Sequence, residues 1–520
     1  MYISSDKTGQ DTRPQELVQK GKKYKGCVPV RYELAFLAFS GLTLQYSLKV
    51  HLSMAIVAMV KHQPGQNVSL SDSSVNLANI CPYNEINQNT SPMHEGEFDW
   101  DEELQGHILG SYFYGYMCTQ IIGGRMAEKF GAKFVYGPSI LATSLLTMLS
   151  PLAARFHVYV FIVLRVLQGA TSGAGIPAMH AMFSKWFPPQ ERSKFSSIIF
   201  SAIYLGSLLT MGLSGVLIEV GGWPLVSYVF GGAAAFWSLL WLLLVYDSPE
   251  KHPRISDEEK CYILTGLSVK EEGQRNYPCT CGVGGEWKKH LGTNALQRDS
   301  DPDLPIIDSP VYYNSDTLNH VATEAADRLY GVLQNGFFSA LPYLSNLITG
   351  VVCGILSQWL RDKGYISHIN AYKLFNGIAS LGPAVALVLI TVVGCNVTAI
   401  VILLGVTMGL RGAFFGGSYL NHMDLAINFS GTISGILHTF INLSGILAPL
   451  VAGALTKGEQ TLARWSLVFY ISVGIITLPY LTYLIFGSVE EQPWNQPQEP
   501  QKERKKVKVF HPKYTITTHM

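Results

Sequence analysis

The sequence predicts an all-α protein that crosses a membrane many times, on three observations. Apolar residues make up 48% of the 520 residues and charged residues only 14%, against roughly 25% charged in a typical soluble domain. The apolar residues are gathered into long blocks, and a helix needs about 20 of them to span a bilayer. The blocks carry many of the 49 glycines, and small residues let helices pack closely in lipid. A soluble chain of this length would divide into several domains, each needing a charged surface that this composition does not supply. A net charge of +1 excludes a strongly basic nucleic-acid binder. Eight cysteines are too sparse for a disulfide scaffold. Alternation in runs of about ten, the mark of a membrane barrel, is absent.

In chain order, residues 1–33 form a polar tail without a signal-peptide pattern, so the first block acts as its own insertion signal. Six apolar blocks follow, at 34–60, 106–126, 134–152, 157–182, 194–218 and 224–246. A polar stretch, 247–337, separates these from five more, at 339–359, 374–394, 397–420, 431–456 and 464–487, giving halves 34–246 and 338–487. The chain ends in a basic tail, 488–520.

Lys/Arg bias sets the orientation. The first tail holds seven basic residues, whereas loop 61–105 holds only Lys61 and eight acids. That loop also carries the sequons Asn67-Val-Ser69 and Asn89-Thr-Ser91, which need a lumenal or extracellular face. Both the first tail and 247–337 are therefore expected in the cytoplasm. A conflict follows: eleven spans would put the chain's end outside, yet Arg361, Lys363, Lys373 and the basic last tail ask for twelve. The favoured explanation is a lost or replaced helix within 264–338, from altered splicing or a faulty gene model. The others are a poor span at 319–338, or a re-entrant helix carrying Ser339-Ala-Leu-Pro-Tyr-Leu344.

Short motifs add a family. Gly124-Arg-Met-Ala-Glu128-Lys129-Phe-Gly131-Ala-Lys133 resembles the loop between the second and third helices of the major facilitator superfamily, with Glu for the usual Asp. A tight glycine turn there sets an acid and bases at facing helix ends, a cluster able to latch one conformation; the plain alternative is a solvated basic loop. The segments at 183–194, 247–263, 339–344, 372–376 and 421–426 resemble the anion–cation symporter branch that includes sialin, the vesicular glutamate transporters and the sodium–phosphate cotransporters. The resemblance implies twelve helices in two six-helix halves, alternating access around a central site, and transport of organic or inorganic anions driven by protons or sodium.

Ionisable residues within spans are functional candidates. Lys49 interrupts the first span, where the family places an anion-binding Arg; snorkelling is the alternative, though Lys49 lies deep for it. Neighbouring His51 reads as a packing residue. Arg165 matches a family Arg and is the strongest candidate for the anion site. By resemblance, two proton-carrying glutamates would follow it at Gln168 and Ser172, but neither residue present titrates near neutrality, so coupling by that route does not follow. His180 is a substitute proton carrier or a helix-packing histidine. Arg411 supplements the anion site or pairs with a backbone carbonyl. Among Tyr112, Tyr114 and Tyr116, Tyr116 faces the cavity by resemblance. Asn421, His422 and Asp424 read as a structural turn.

Cys279-Thr-Cys281 lacks a second pair, so no metal is expected, and no nucleotide or hydrolase motif recommends an enzyme. The expected partners are a small anionic substrate and the lipid bilayer, with no nucleic acid and no cofactor beyond a coupling sodium or proton, for a monomer. The plasma membrane is the favoured site, with a lysosomal or vesicular membrane as the alternative. Two other functions stay open: a non-transporting or defective isoform acting as a regulatory membrane partner, and an anion channel.

Overall fold

A computed structural model describes residues 29–61, 96–268, 332–394, 396–456 and 462–495. Every long element among them is a helix. The first half comprises α1 (Val30–Met59), α2 (Glu102–Phe130), α3 (Ala132–Phe156), α4 (Val158–Ser172), α5 (Gly175–Trp186), α6 (Pro189–Gly221) and α7 (Trp223–Leu244). A short α8 (Asp257–Ser268) lies within the polar stretch. The second half comprises α9 (Val332–Asp362), α10 (His368–Val393), α11 (Val397–Arg411), a short α12 (Asn421–Leu425), α13 (Ser430–Thr456) and α14 (Leu462–Phe486).

α4 and α5 form one span, Val158–Trp186, and nine helical spans among the described residues are long and apolar enough to cross a membrane. Helices α1 and α2 are not among those nine. They are long enough at 30 and 29 residues, but they carry Gln45, Lys49, His51 and Gln120, which dilute their apolar character. The buried Gln45, His51 and Gln120 place that polarity inside the bundle. With these two, eleven helical passes match the eleven apolar blocks. The place expected for a seventh helix lies outside the described residues.

The contacts at the ends of the bundle bear on the orientation conflict. Glu259 on α8 accepts hydrogen bonds from the backbone N–H groups of Val30 (2.9 Å) and Arg31 (3.1 Å), where the first amides of a helix lack internal partners. Arg31 also pairs with Glu191 at the start of α6 (3.1 Å). Arg192 faces Asp424 (3.9 Å), and Tyr372 at the start of α10 donates to Asp424 (2.7 Å). Gln492 N–H donates to Leu425 O (2.9 Å). The start of α1, the α5–α6 and α9–α10 connections and the end of α14 therefore share one end of the bundle, here termed the basic end.

The end of α14 thus lies beside the start of α1 rather than opposite it, as eleven strictly alternating spans would require. Near its close, α9 packs on the first turns of α6, Gly354 against Ser197, so antiparallel α9 begins at the opposite end. Residues 268 and 332 stand at opposite ends of the bundle, and this preserves the alternation of the later helices. Helix α9 is continuous over 31 residues, which removes the re-entrant alternative. At the opposite end, Arg155 forks onto Glu97 (2.8 and 3.2 Å) and the Trp223 indole donates to the same carboxylate (3.1 Å).

Candidate functional site

A stacked tyrosine pair organises the interior of the first half. Residues four apart share a helix face and residues two apart do not. Tyr112 and Tyr116 accordingly bury against each other, with ring centroids 5.6 Å apart, while Tyr114 turns outward at 48% exposure. A cation sits on each ring. The Arg165 guanidinium lies 4.9 Å from the Tyr112 centroid. The Lys49 ammonium lies 5.4 Å from that of Tyr116, and also within reach of Phe113 (4.9 Å) and Tyr46 (5.2 Å). Such contacts contribute roughly 0.5–2 kcal/mol each.

Arg165 is 2% exposed. Its Nη1 donates to Gln168 Oε1 (2.8 Å), and Gln168 Nε2 donates in turn to Ser150 (2.7 Å). Its Nε has no hydrogen-bond partner. Among the described residues no carboxylate lies within ion-pairing distance of it. Gln168 therefore orients the guanidinium without neutralising it. A buried charge left uncompensated costs several kcal/mol, a cost that an incoming anion would offset. Ser172 accepts from Gln45 through its carbonyl (3.1 Å) and hydroxyl (3.4 Å), tying α1 to the end of α4. His51 binds the Leu48 carbonyl through Nδ1 (2.8 Å), in keeping with a packing role.

Arg411 is buried at the close of α11, beside Gly412, whose backbone lies against Asn346 and Gly350 of α9.

The glycine-rich loop makes a contact between the halves. Glu128 accepts from both the backbone N–H and the hydroxyl of Thr432 (2.7 Å each). Thr432 stands in the first turn of α13, where unpaired amides and the helix dipole favour an anion. Arg125 steadies the carboxylate (3.1 Å). Gly124 makes the approach possible, since a Cβ there would stand 2.1 Å from Gly431 O. Gly131 ends α2 at φ +103°, a conformation side chains disfavour, with Asp247 bonded to the Lys133 N–H beside it (2.7 Å). Lys129 is exposed, its ammonium over the Phe130 ring (5.4 Å), and stands outside the seam. Asn67, Asn89, Cys279 and Cys281 lie outside the described residues.

Residues 84–449 match the sequence profile of the Major Facilitator Superfamily. The chain is 37% identical to sialin from Homo sapiens, over 90% of this chain and 91% of that one. This chain belongs to the anion–cation symporter branch of that superfamily. It is also 33% identical to a putative inorganic phosphate cotransporter of Drosophila melanogaster, over 91% of this chain and 88% of that one. Against vesicular glutamate transporter 1 of Bos taurus it is 32% identical, over 92% of this chain and 80% of that one. These relatives are transporters, and the chain is a multi-pass membrane transporter rather than an enzyme. The solved structure of the proton:xylose symporter XylE bound to 6-bromo-6-deoxy-D-glucose shares the fold, with TM-score 0.61 at 13% identity, covering 89% of this chain and 97% of that one.

Within this symporter fold the sequence reading missed four participants, Arg192, Thr432, Ser434 and His438. Arg192 faces Asp424 across the halves, so the turn at 421–424 is also part of the seam. Thr432 is the receptor for Glu128. His438 and Ser434 meet His180 in the interior, Ser434 Oγ lying 2.9 Å from His180 Nδ1 and 3.3 Å from His438 Nδ1. No sequence signal marks His438, which is a lone histidine in an apolar run.

Proposed function

We propose that the chain is a secondary active symporter of a small organic or inorganic anion, carboxylate-like or phosphate-like, coupled to sodium or protons and working by alternating access. The observation that carries this reading is Arg165, buried and held by the neutral Gln168 amide and the Tyr112 face instead of a carboxylate. Lys49, on the other ring of the same tyrosine pair, supplies a second cation. Tyr112 and Tyr116 supply a shared aromatic wall between the two. A guanidinium fork matches two oxygens of a carboxylate or phosphate, while an ammonium acts as a point charge. The relatives' names, which include glutamate and inorganic phosphate transport, span the same two chemistries.

In this reading Glu128, Thr432, Arg192 and Asp424 hold the basic end shut, and their release opens the site to the cytoplasm. The starts of α1 and α6, helix α8 and the end of α14 lie on that cytoplasmic side, and we place the transporter in the plasma membrane, as a monomer. The experiment is uptake of labelled phosphate, glutamate, urate and sialic acid into expressing cells under sodium and proton gradients. One of these should accumulate above control and lose accumulation in Arg165→Ala. No uptake under either gradient, or equal uptake in the variant, rejects the reading.

A further inference from the structure

Three histidines from both halves meet in the interior. His180 comes from α5 in the first half; His422 from α12 and His438 from α13 come from the second. Exposures are 0%, 2% and 7%. The His180 ring centroid lies 4.9 Å from that of His422 and 5.6 Å from that of His438. Phe200 stacks on His180 from α6 at 4.4 Å, and Tyr419 closes another side at 5.7 Å.

The hydrogen bonds assign the protons. His180 Nδ1 lies 3.0 Å from Ile176 O, and His438 Nδ1 lies 2.8 Å from Ser434 O. A carbonyl oxygen only accepts, so Nδ1 of each ring carries the hydrogen and Nε2 keeps a lone pair. Nε2 of His180 and Nε2 of His422 are buried and have no hydrogen-bond partner. His422 hydrogen-bonds the Tyr419 backbone, and since its Nε2 has no partner the bond is made by Nδ1, so each Nε2 is a basic nitrogen with an unused lone pair, enclosed at the interface of the two halves.

We propose that this cluster is the coupling-proton site of the transporter, and that loading it with a proton favours separation of the halves at the basic end. The proposal rests on the transport reading above and selects the proton as coupling ion. A proton added to Nε2 of His180 or His422 in the closed form becomes a buried N–H without an acceptor. The same cation is solvated once the halves part and water enters, so the protonated protein prefers the parted form.

Cations and tyrosines from neighbouring elements surround the cluster. From α1, Lys49 acts on His438, and from the start of α6, Arg192 acts on His422. Tyr116 of α2 and Tyr204 of α6 face Tyr419 at the edge of the cluster. The acid nearest in sequence is Asp424, already engaged by Tyr372 and facing Arg192. The rings do not make a metal centre: among the described residues no group of three or more His, Cys, Asp or Glu side chains is arranged to hold a metal ion. A lone pair on an imidazole nitrogen accepts a proton.

The test uses the full chain in lipid nanodiscs. A donor–acceptor dye pair is attached at Phe134 and Tyr365, which are exposed at the basic end on opposite halves. The inter-dye distance should lengthen as pH falls from about 8 to about 5.5, across the ordinary histidine range. That response should vanish in His180→Gln and in His438→Asn, the latter keeping a donor near Ser434 O should the former fail to fold. A pH-independent distance in the native chain, or an unchanged response in both variants, overturns the proposal. Proteoliposomes supply the transport arm: an imposed proton gradient should drive accumulation at least tenfold above a sodium gradient, and His438→Asn should abolish that advantage. Equal accumulation in His438→Asn overturns the histidine assignment. Absence of labelled-anion exchange in the native chain overturns the transport reading instead, and the dye distances then decide the histidine claim alone.

Discussion

Glu128→Gln should unlatch the basic end. The native carboxylate accepts two bonds from Thr432, both 2.7 Å, one from a backbone amide and one from a hydroxyl. Hydrogen bonds to a charged acceptor contribute about 1.5–3 kcal/mol and neutral ones about 0.5–1.5. The amide keeps roughly the same shape, so each bond loses on the order of 1 kcal/mol, or about 2 kcal/mol in all. The few tenths to about 1 kcal/mol that an anion gains from the helix dipole at the start of α13 is part of that same loss of charge. The Arg125 contact is mostly solvent-exposed (63% on the arginine side) and counts for little.

A loss of about 2 kcal/mol raises the open-to-closed ratio roughly 30-fold. The assay is alkylation of a cysteine at Ala181, which lies against Gly431 inside the closed seam. When opening is faster than alkylation, the rate with a membrane-impermeant maleimide follows the open fraction. Glu128→Gln in the Ala181→Cys background should therefore react roughly 30 times faster. An equal rate would show that the carboxylate does not hold the two halves together, and the latch assignment would fall.

Three other outcomes follow from the same geometry. Gly124→Ala places a Cβ 2.1 Å from Gly431 O, so the closed seam loses about 1–3 kcal/mol by overpacking and Ala181→Cys alkylation rises by at least several-fold; an unchanged rate refutes the close approach. The Arg155 hydrogen bond, aided by the Trp223 indole, holds Glu97 below its ordinary 4.5. Its contribution is therefore complete above that value and lost as pH falls through the depressed one. Glu97→Gln should lower thermal stability at neutral pH by less than about 1 kcal/mol, since the pair is half exposed; a difference that persists at pH about 2 would contradict the linkage. Asn67→Gln and Asn89→Gln should each remove one glycosidase-sensitive mobility step; two unshifted variants would place that loop on the unglycosylated side.

The legible part of this fold was what lipid dictates locally. Apolar blocks gave the spans, and the glycine-rich loop between α2 and α3 announced an acid held near a turn. Eleven alternating spans conflicted with the Lys/Arg bias, and the ends of the described helices agree with the bias: the end of α14 lies at the same end of the bundle as the start of α1. Helix α8 escaped because its first turn is Asp257-Glu258-Glu259, read as solvated polarity. It in fact supplies the carboxylate that caps α1.

At the site, Arg165, Lys49 and Tyr116 stood out because a charge inside a span demands a reason. Their shared tyrosine pair needed the helical face that separates Tyr112 and Tyr116 from Tyr114. The seam was not legible at all. Glu128 and Thr432 are 304 positions apart, and His180 and Ser434 are 254 apart. Such pairs form only where the two halves meet, and neither partner's local sequence encodes the other. His438 illustrates the point: one buried histidine is packing, whereas three from both halves enclose two unsatisfied nitrogens.

The anion site is tested most directly by comparing uptake in the native chain and in Arg165→Ala at equal membrane abundance. Removing a buried charged donor costs about 2–3 kcal/mol of anion binding, so uptake efficiency should fall roughly 30- to 150-fold for whichever anion is carried, while Tyr114→Ala on the outward face leaves it unchanged. Equal efficiency in Arg165→Ala would contradict the assignment of that guanidinium to the transported anion.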